Sequence, residues 1–330
     1  MELRNLGKSN VKITPIAFGA WAIGGWMWGG AERSQAVAAI RKSVDLGITT
    51  IDTAPVYGFG LSEEITGEAI KGMRDKVQIL TKFGLRWDDT KGKYFMATKD
   101  NHGKNIDLYG YSAKESVVKE CEESLKRLGT DYIDLFQIHW PDPTTPVEET
   151  MEALNKLIDQ GKILAAGVSN YDVPLMERAG KVTVIATNQV PYSMLKRDIE
   201  NDVVPYCTEN EVGILAYSPL QRGLLTGKFD PEHEFREGDA RGGLKEFKKD
   251  NIARVNKFLD KLRPLADSKG ATLSQLVLRW TIQQPGITCA LAGARDPDQV
   301  MDNAGALNFS LSDVEIGFIN DELARLELVE

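Results

Sequence analysis

The chain has few cysteines, no block of like charge and no long apolar run. Its three cysteines are widely spaced, which argues against a disulfide framework or a zinc motif and favours reduced thiols. An uncharged stretch at residues 15–30 is interrupted by glycines and is too short to span a bilayer. The first residues show no signal-peptide pattern. These absences predict a cytoplasmic protein without a membrane partner.

The charge balance is acidic. The chain carries 40 Lys and Arg against 48 Asp and Glu, a net charge of −8. Without a basic patch, such a chain is not expected to bind nucleic acid or an anionic membrane. The only histidines are His102, His139 and His233, and they form no His-Glu-x-x-His motif. We therefore expect no metal site.

Two glycine-rich segments imitate nucleotide-binding motifs but are incomplete. Residues 58–63 begin as Gly-x-Gly but lack the third glycine of a Rossmann fingerprint. Residues 223–229 are one spacer short of a P-loop and end on Phe229 where a magnesium-binding hydroxyl is needed. Neither segment supports the classical motif that it imitates.

Apolar segments alternate with helical patterns along the chain. Residues 1–16 indicate an N-terminal β-hairpin. The candidate strands lie at 16–20, 48–52, 77–82, 132–139, 163–169, 184–189, 212–217 and 287–292. They lack strict polar alternation, as is typical of strands buried on both faces. With the intervening helices they predict a (β/α)8 TIM barrel of the α/β class, as one domain spanning 1–330. A doubly wound open sheet is the alternative, because strand order cannot be read from one sequence.

Several segments carry helix start signals. Ser112–Glu115 and Ser312–Glu315 match a capping box. At 145–146 and 296–297, proline follows a capping side chain and is predicted to be the first helical residue.

Two connections are unusually long. They cover residues 83–111 and 218–250, and each follows the carboxyl end of a predicted strand. Loops of this length in a compact domain are usually functional or disordered. We expect both at the active face of the barrel.

Three of the predicted strands end on one ionisable residue each. These residues are Asp52, Lys82 and His139, and Tyr57 follows Asp52 by five positions. The carboxyl ends of barrel strands meet at one face, so the four side chains are expected to converge. They supply a proton donor, a cation, an anion that holds the cation, and an imidazole that positions a substrate. This set suits the reduction of a carbonyl.

A series of motifs in chain order resembles the aldo-keto reductases. The matching motifs are Asp52-Thr53-Ala54-x-x-Tyr57-Gly58, the strand end at Lys82, Ile138-His139, Gly167-Val168-Ser169-Asn170, Tyr217-Ser218-Pro219-Leu220 and Gly293-Ala294-Arg295 with Gln299 and Asn303. The likeness runs from about residue 3 to residue 325. The loop at 24–30 and the segment 139–143 are most similar to the bacterial branch that includes general stress protein 69.

The resemblance implies roles for the four convergent residues. Tyr57 is implied as the general acid, Lys82 and Asp52 as its supporting ion pair, and His139 as the residue that orients the carbonyl. A free tyrosine titrates near ~10, too high for efficient donation at neutral pH. A lysine about 4 Å away is worth roughly 4 kcal/mol at intermediate dielectric, so we expect Lys82 to lower the pKa of Tyr57.

The resemblance also implies a nicotinamide cofactor. Hydride transfer needs a donor that no side chain supplies. Arg295 favours NADPH because it could grip a 2′-phosphate, although Asp296 and Asp298 would oppose that phosphate if they point inward; NADH stays possible. The resemblance places Ser169, Asn170 and Gln189 around the carboxamide, with Tyr217 stacked on the nicotinamide ring. It places Ser218, Leu220, Gly223 and Lys228 at the pyrophosphate, and Arg295, Gln299 and Asn303 at the adenosine end. The other implied cofactor residues are Gly19, Trp21, Asp52 and Gly293.

The substrate is expected to be a small-molecule carbonyl compound held by aromatic side chains. The candidate substrate residues are Trp21, Trp28, Tyr57, Trp87, His139 and Trp140. The expected activity is reduction of aldehydes or ketones. One alternative is a regulatory subunit that binds NADPH and turns over slowly, like the related potassium-channel beta subunits. Another is a Schiff-base aldolase that uses Lys82. The oligomeric state is left open.

Overall fold

The central feature of the computed structural model, which describes residues 2–235 and 239–329, is a closed barrel of eight parallel strands. Its strand order is β3-β4-β5-β9-β10-β11-β12-β13, and β13 pairs with β3 to close it. All eight predicted barrel strands and the N-terminal hairpin are therefore confirmed. The strands are β1 (Arg4–Asn5), β2 (Lys12–Ile13), β3 (Ile16–Gly19), β4 (Thr50–Asp52), β5 (Gln78–Phe83), β6 (Leu85–Arg86), β7 (Lys93–Lys99), β8 (Asn105–Gly110), β9 (Leu135–Ile138), β10 (Ala166–Ser169), β11 (Ile185–Pro191), β12 (Gly213–Tyr217) and β13 (Ile287–Gly293).

Helices pack around the barrel, most of them through one buried face, whereas α9 is buried over nearly its whole length. In α4, for example, Val117, Cys121 and Leu128 recur at helical spacing and are buried in the main core. Among the described residues, no helix combines the length and apolar character needed to cross a membrane. The helices are α1 (Trp21–Gly24), α2 (Arg33–Asp45), α3 (Leu61–Ile70), α4 (Lys114–Leu128), α5 (Val147–Asp159), α6 (Val173–Gly180), α7 (Val203–Asn210), α8 (Lys249–Ser268), α9 (Leu273–Ile282), α10 (Pro297–Gly305) and α11 (Asp313–Ala324).

The predicted helix starts are correct at two places and wrong at two. Ser312 forms a full capping box, and Asp296 caps α10 ahead of Pro297. Ser112 does not cap α4, because its backbone nitrogen and hydroxyl both donate to Asp142 Oδ2 instead. Pro146 occupies the capping position of α5 rather than the first helical position, and no side chain caps that helix.

The segment 83–111 is not an unstructured loop. It contains an antiparallel sheet in the order β6-β8-β7. Strands β7 and β8, residues Lys93–Gly110, form a hairpin that we call the rim hairpin. The segment 218–250 is largely irregular, with 3₁₀ turns at Gln221–Thr226, Ala240–Gly243 and Lys245–Phe247. Within it, residues 236–238 lie outside the described part of the chain.

Strand register brings the first candidate residues together. Gly19 lies beside Asp52 across β3 and β4, and beside Gly293 across β3 and β13. Lys82 lies beside Gln137 across β5 and β9. At the opposite end of the strands, Leu6 and Ile13 of the N-terminal hairpin pack against barrel residues in a second core cluster. The hairpin therefore closes one end of the barrel, and the polar residues lie at the other.

A buried carboxyl on α4 supports the end of β5. Glu120 accepts hydrogen bonds from the Gly84 nitrogen (3.0 Å) and Ser116 Oγ (3.1 Å) and lies 3.6 Å from Arg86. Burial raises the pKa of Glu120 to about 7, against an ordinary value of 4.5, although Arg86 opposes this shift. The folded protein therefore holds a proton on Glu120 at mildly acidic pH, where the unfolded chain is ionised. The stability gained from that proton is fully present below the unfolded pKa and is lost as pH rises through about 7.

We predict that Glu120→Gln removes this pH dependence. Between about pH 5.5 and about pH 7.5, the free energy of unfolding of the wild type should fall by about 2 kcal/mol more than that of the variant. Urea unfolding of both proteins at the two pH values measures the difference. The same pH dependence in both proteins would show that Glu120 does not titrate in this range.

Candidate active site

A buried ion pair lies at the centre of the site. Lys82 Nζ donates to Asp52 Oδ1 at 2.7 Å and to the Thr53 carbonyl oxygen at 2.9 Å. Gln189 Nε2 donates to the other oxygen of Asp52 at 2.8 Å. Lys82 is 0% exposed and Asp52 is 2% exposed. Each carboxylate oxygen of Asp52 therefore has a donor inside the barrel.

Tyr57 and His139 lie next to this pair. The Lys82 ammonium is 4.9 Å from the centre of the Tyr57 ring. The ring of His139 meets the Tyr57 ring edge-on, with centroids 5.7 Å apart. Trp21 stacks on the Tyr57 ring at 5.8 Å. The structure thus brings together the four residues that the strand ends indicated.

The protonation states differ from the expectation. Burial, with a further contribution from Asp52, raises the pKa of Tyr57 well above its ordinary value. The expected lowering by Lys82 is wrong, because Asp52 offsets the lysine charge and the phenol is shielded from water. Burial and the Lys82 charge both hold the pKa of His139 well below its ordinary value. Burial also lowers the pKa of Lys82, against the opposing effect of Asp52. Tyr57 and His139 are therefore neutral groups at physiological pH.

A cavity of about 670 Å³ opens beside Tyr57 and His139. Lys82 does not line it and lies behind Asp52. Every residue predicted to bind the cofactor lines this cavity: Gly19, Trp21, Asp52, Ser169, Asn170, Gln189, Tyr217, Ser218, Leu220, Gly223, Lys228, Gly293, Arg295, Gln299 and Asn303.

Asn170 is the centre of a hydrogen-bond network on one wall of the cavity. Its Nδ2 donates to Ser169 Oγ and to the His139 carbonyl oxygen, both at 3.1 Å. Its Oδ1 accepts from the Tyr217 hydroxyl at 3.0 Å. Ser169 Oγ donates to the Gln189 carbonyl oxygen at 2.7 Å. The network fixes the ends of β10, β11 and β12 relative to His139.

The far end of the cavity lies at the start of α10. The Arg295 nitrogen donates to Gln299 Oε1 at 3.1 Å, and Asn303 Nδ2 donates to the Gly293 carbonyl oxygen at 3.2 Å. Asp296 accepts from Gln299 as the cap of α10. Neither Asp296 nor Asp298 lines the cavity, so the anticipated opposition to a phosphate does not arise from these two side chains.

The chemistry of the lining residues fits a dinucleotide. Arg295 and Lys228 were predicted to hold the cofactor, and both line the cavity. Arg222 and Arg241 line the cavity as well, and Arg241 is paired with Asp239. Several guanidinium and ammonium groups along one groove suit a ligand with separated phosphates. Among the described residues, no group of three or more His, Cys, Asp or Glu side chains is arranged to hold a metal ion.

The aromatic wall contains most of the predicted residues. Trp21, Trp28 and Trp140 line the cavity together with Tyr57 and His139. Trp87 does not. It lies in a second, separate cavity and packs edge-on against Phe59, with ring centroids 5.4 Å apart.

Several lining residues were not predicted from the sequence. Phe95 and Met96 come from the rim hairpin, Met27 from the loop after α1, and Arg222 and Arg241 from the segment after β12. Residues 105–109 of the rim hairpin alternate polar and apolar side chains, and this short period-2 pattern was the available signal for the hairpin. The available signal for Arg222 was its position directly before Gly223, a residue predicted to bind the cofactor.

Comparison with known proteins decides the family. The model of the Aldo/keto reductase family matches residues 15–323. The chain belongs to the aldo/keto reductase family. It is 42% identical over 303 residues to Aldo-keto reductase YhdN of Bacillus subtilis (strain 168), covering 91% of this chain and 87% of that protein. It is 36% identical over 328 residues to the NADH-specific methylglyoxal reductase of Escherichia coli (strain K12), covering 98% of each chain.

Solved structures of the family share the fold. The glycerol dehydrogenase AKR11B4 from Gluconobacter oxydans superposes with a TM-score of 0.89 at 38% identity, covering 99% of this chain and 97% of that one. An aldo/keto reductase from Klebsiella pneumoniae, solved with NADP and acetate, superposes with a TM-score of 0.72 at 30% identity and 100% coverage of both chains. Both NADP-bound and NADH-specific homologues therefore occur.

We predict that Lys82→Met leaves Asp52 charged and unpaired in the barrel. The variant should lose about 3–5 kcal/mol of the free energy of unfolding. The double variant Lys82→Met/Asp52→Asn should lose less than half of that, because no buried charge remains. Chemical denaturation measures both, with Lys12→Met on the surface as control. Equal losses in the single and double variants would contradict the role assigned to the pair.

Proposed function

We propose that this aldo/keto reductase reduces aldehyde or ketone carbonyls to alcohols with NADPH, and that Tyr57 is the proton donor. The observation that carries the proposal is the neutral Tyr57 phenol beside the Lys82–Asp52 pair and His139, at the wall of a cavity lined by dinucleotide-compatible residues. A phenol that keeps its proton at neutral pH has that proton available for a nearby oxygen on which negative charge develops, and the Lys82 cation offsets part of the cost of releasing it.

The residues divide the chemistry between them. A bound nicotinamide cofactor supplies the hydride. Tyr57 donates its hydroxyl proton to the carbonyl oxygen as negative charge grows there, and His139, a neutral imidazole, donates a hydrogen bond to the same oxygen. The Lys82 ammonium, 4.9 Å from the centre of the Tyr57 ring, attracts the phenolate that remains, and Asp52 opposes part of this attraction. Asp52 keeps that ammonium charged and in place.

The same cavity supplies a cofactor site. Ser169, Asn170 and Gln189 are proposed to hold the carboxamide, and Tyr217 to stack on the nicotinamide ring. The residues Ser218, Leu220, Gly223 and Lys228 are assigned to the pyrophosphate, and Arg295, Gln299 and Asn303 to the adenosine end. The support for NADPH is that Arg295 lines the cavity and that neither Asp296 nor Asp298 does. Asp302 also lines it, and its Oδ1 accepts hydrogen bonds from Thr272 and Gln275. NADH use is a possible second activity, since one relative is named as NADH-specific.

The finer assignments are proposals of the same kind. We place the chain with the general stress protein 69 branch on its loop motifs, and we treat residues 1–330 as one domain. A slowly turning over NADPH-binding regulatory subunit is the alternative function. Steady consumption of NADPH with a reactive aldehyde supports the enzyme, and a single slow turnover supports the regulatory subunit.

We predict that Tyr57→Phe abolishes reduction and leaves NADPH binding nearly intact. The variant keeps the ring that packs on Trp21 but loses the proton, so kcat should fall by about 10²–10⁴-fold. Absorbance of NADPH with a panel of aldehydes and ketones measures turnover, and quenching of protein fluorescence measures binding. Tyr94→Phe, on the exposed face of the rim hairpin, is the matched control. Substantial turnover by Tyr57→Phe would remove Tyr57 from this role.

We predict that Arg295→Met weakens the binding of NADPH but not that of NADH. Loss of a charge-assisted contact to the 2′-phosphate should raise KM for NADPH by about 10- to 100-fold and leave KM for NADH nearly unchanged. Arg263→Met on α8, half-exposed and distant in sequence, is the control. Wild-type protein with equal kcat/KM for both cofactors, or a variant with equal losses for both, would overturn the NADPH preference.

A further inference from the structure

One side chain on the rim hairpin connects it to the turn that carries Tyr57. Asn101 lies in the connection between β7 and β8. Its Nδ2 donates to the Gly24 carbonyl oxygen at 3.0 Å and to the Gly58 carbonyl oxygen at 3.2 Å. Both partners are carbonyls, which can only accept, so the amide must present its two N–H groups to them. Asn101 therefore joins the end of α1, the residue after Tyr57, and the rim hairpin.

The Tyr57 turn needs such support. Gly58, Phe59 and Gly60 have φ values of +73°, +58° and +104°. For Phe59 this left-handed conformation is strained and persists only where the surroundings enforce it. A Cβ added to Gly24 would overlap the Tyr57 carbonyl, and one added to Gly58 would overlap the Gly24 carbonyl. The two backbones are thus in close contact where Asn101 bridges them.

We propose that Asn101 is a positioning residue for the proton donor. By holding the Gly58 carbonyl against Gly24, it restricts the backbone on which the Tyr57 phenol is carried to the orientation that faces His139. The proposal depends on the proposed role of Tyr57, but it adds a residue outside the four that the strand ends bring together. The rim hairpin then acts on the reaction through Asn101 as well as by lining the cavity.

A second contact allows positioning to be separated from simple docking of the rim hairpin. Trp26 Nε1 donates to Thr98 Oγ1 at 2.9 Å. This bond also ties the hairpin to the loop after α1. The Trp26 ring packs edge-on against Phe59, with centroids 6.1 Å apart, but the bond involves neither the Gly24 nor the Gly58 carbonyl. Thr98→Val removes the bond while keeping the side-chain shape. If Asn101 merely docked the hairpin, Thr98→Val and Asn101→Ala would have similar effects.

The experiment compares four variants of the full-length protein: Asn101→Ala, Asn101→Asp, Thr98→Val and His102→Ala. The last alters the same turn without removing these bonds. Asn101→Ala should lower kcat by about tenfold, equivalent to about 1.4 kcal/mol, with Kd for NADPH almost unchanged. Asn101→Asp should be worse at neutral pH, because a carboxylate would face two carbonyl oxygens. Its kcat relative to wild type should recover as pH falls towards ~4, where the protonated acid can donate again.

Hydrogen exchange provides a readout that does not depend on activity. The amides of Tyr57 and Gly60, which bond to Ala54 and Pro55 within the turn, should exchange faster in Asn101→Ala than in the wild type or His102→Ala. Wild-type kcat in Asn101→Ala, an equal loss in Thr98→Val, or a parallel loss of NADPH binding would each overturn the positioning role. An active Tyr57→Phe would instead overturn the proposed function, so the two failures are distinguishable.

Discussion

Lys82 and Asp52 hold opposite charges 2.7 Å apart within the barrel. Taking each ion out of water costs several kcal/mol, so such a pair persists only when the remaining polar atoms are also satisfied. The Thr53 carbonyl accepts from Lys82, and Gln189 donates to Asp52. These groups come from β4, the residue after it, β5 and β11, which meet only in the closed barrel. The pair is therefore a product of the whole fold and not of any local motif.

Burial, together with the same pair, shifts the pKa values of Tyr57 and His139 in opposite directions. Asp52 adds to the effect of burial in raising the pKa of Tyr57, and Lys82 adds to burial in lowering the pKa of His139. Both side chains are consequently neutral hydrogen-bond donors. Neutral donors suit a step in which an oxygen gains negative charge, because their hydrogen bonds stabilise the developing anion more than they stabilise the neutral carbonyl. In the proposed mechanism, these protonation states suit Tyr57 as a proton donor.

The barrel and the convergent residues could be predicted because both depend on regular patterns. Asp52 ends β4, Lys82 is the last residue but one of β5, and His139 directly follows β9. Each of these candidate residues could therefore be located at the end of an apolar run. Parallel strands bring the ends of these runs to one face of the barrel. The features that could not be predicted depend on distant partners. Ser112 resembled a cap but donates to Asp142, 30 residues away along the chain. The pKa of Tyr57 required knowledge of how completely the phenol is buried.

The rim hairpin shows why contacts between residues that are distant in sequence matter for the candidate site. Its turn, residues 100–103, has the composition of an ordinary surface turn, and Asn101 there matches no motif. Its significance arises only because the hairpin crosses the loop after α1 and reaches the Gly58 carbonyl. Trp87 was expected to contact the substrate because it lies near a loop at the barrel mouth, but it packs instead on Phe59 of the Tyr57 turn. Side chains from the 83–111 segment thus contact the Tyr57 turn at Gly58 and at Phe59. These contacts support the turn, although the sequence showed only that this segment is unusually long.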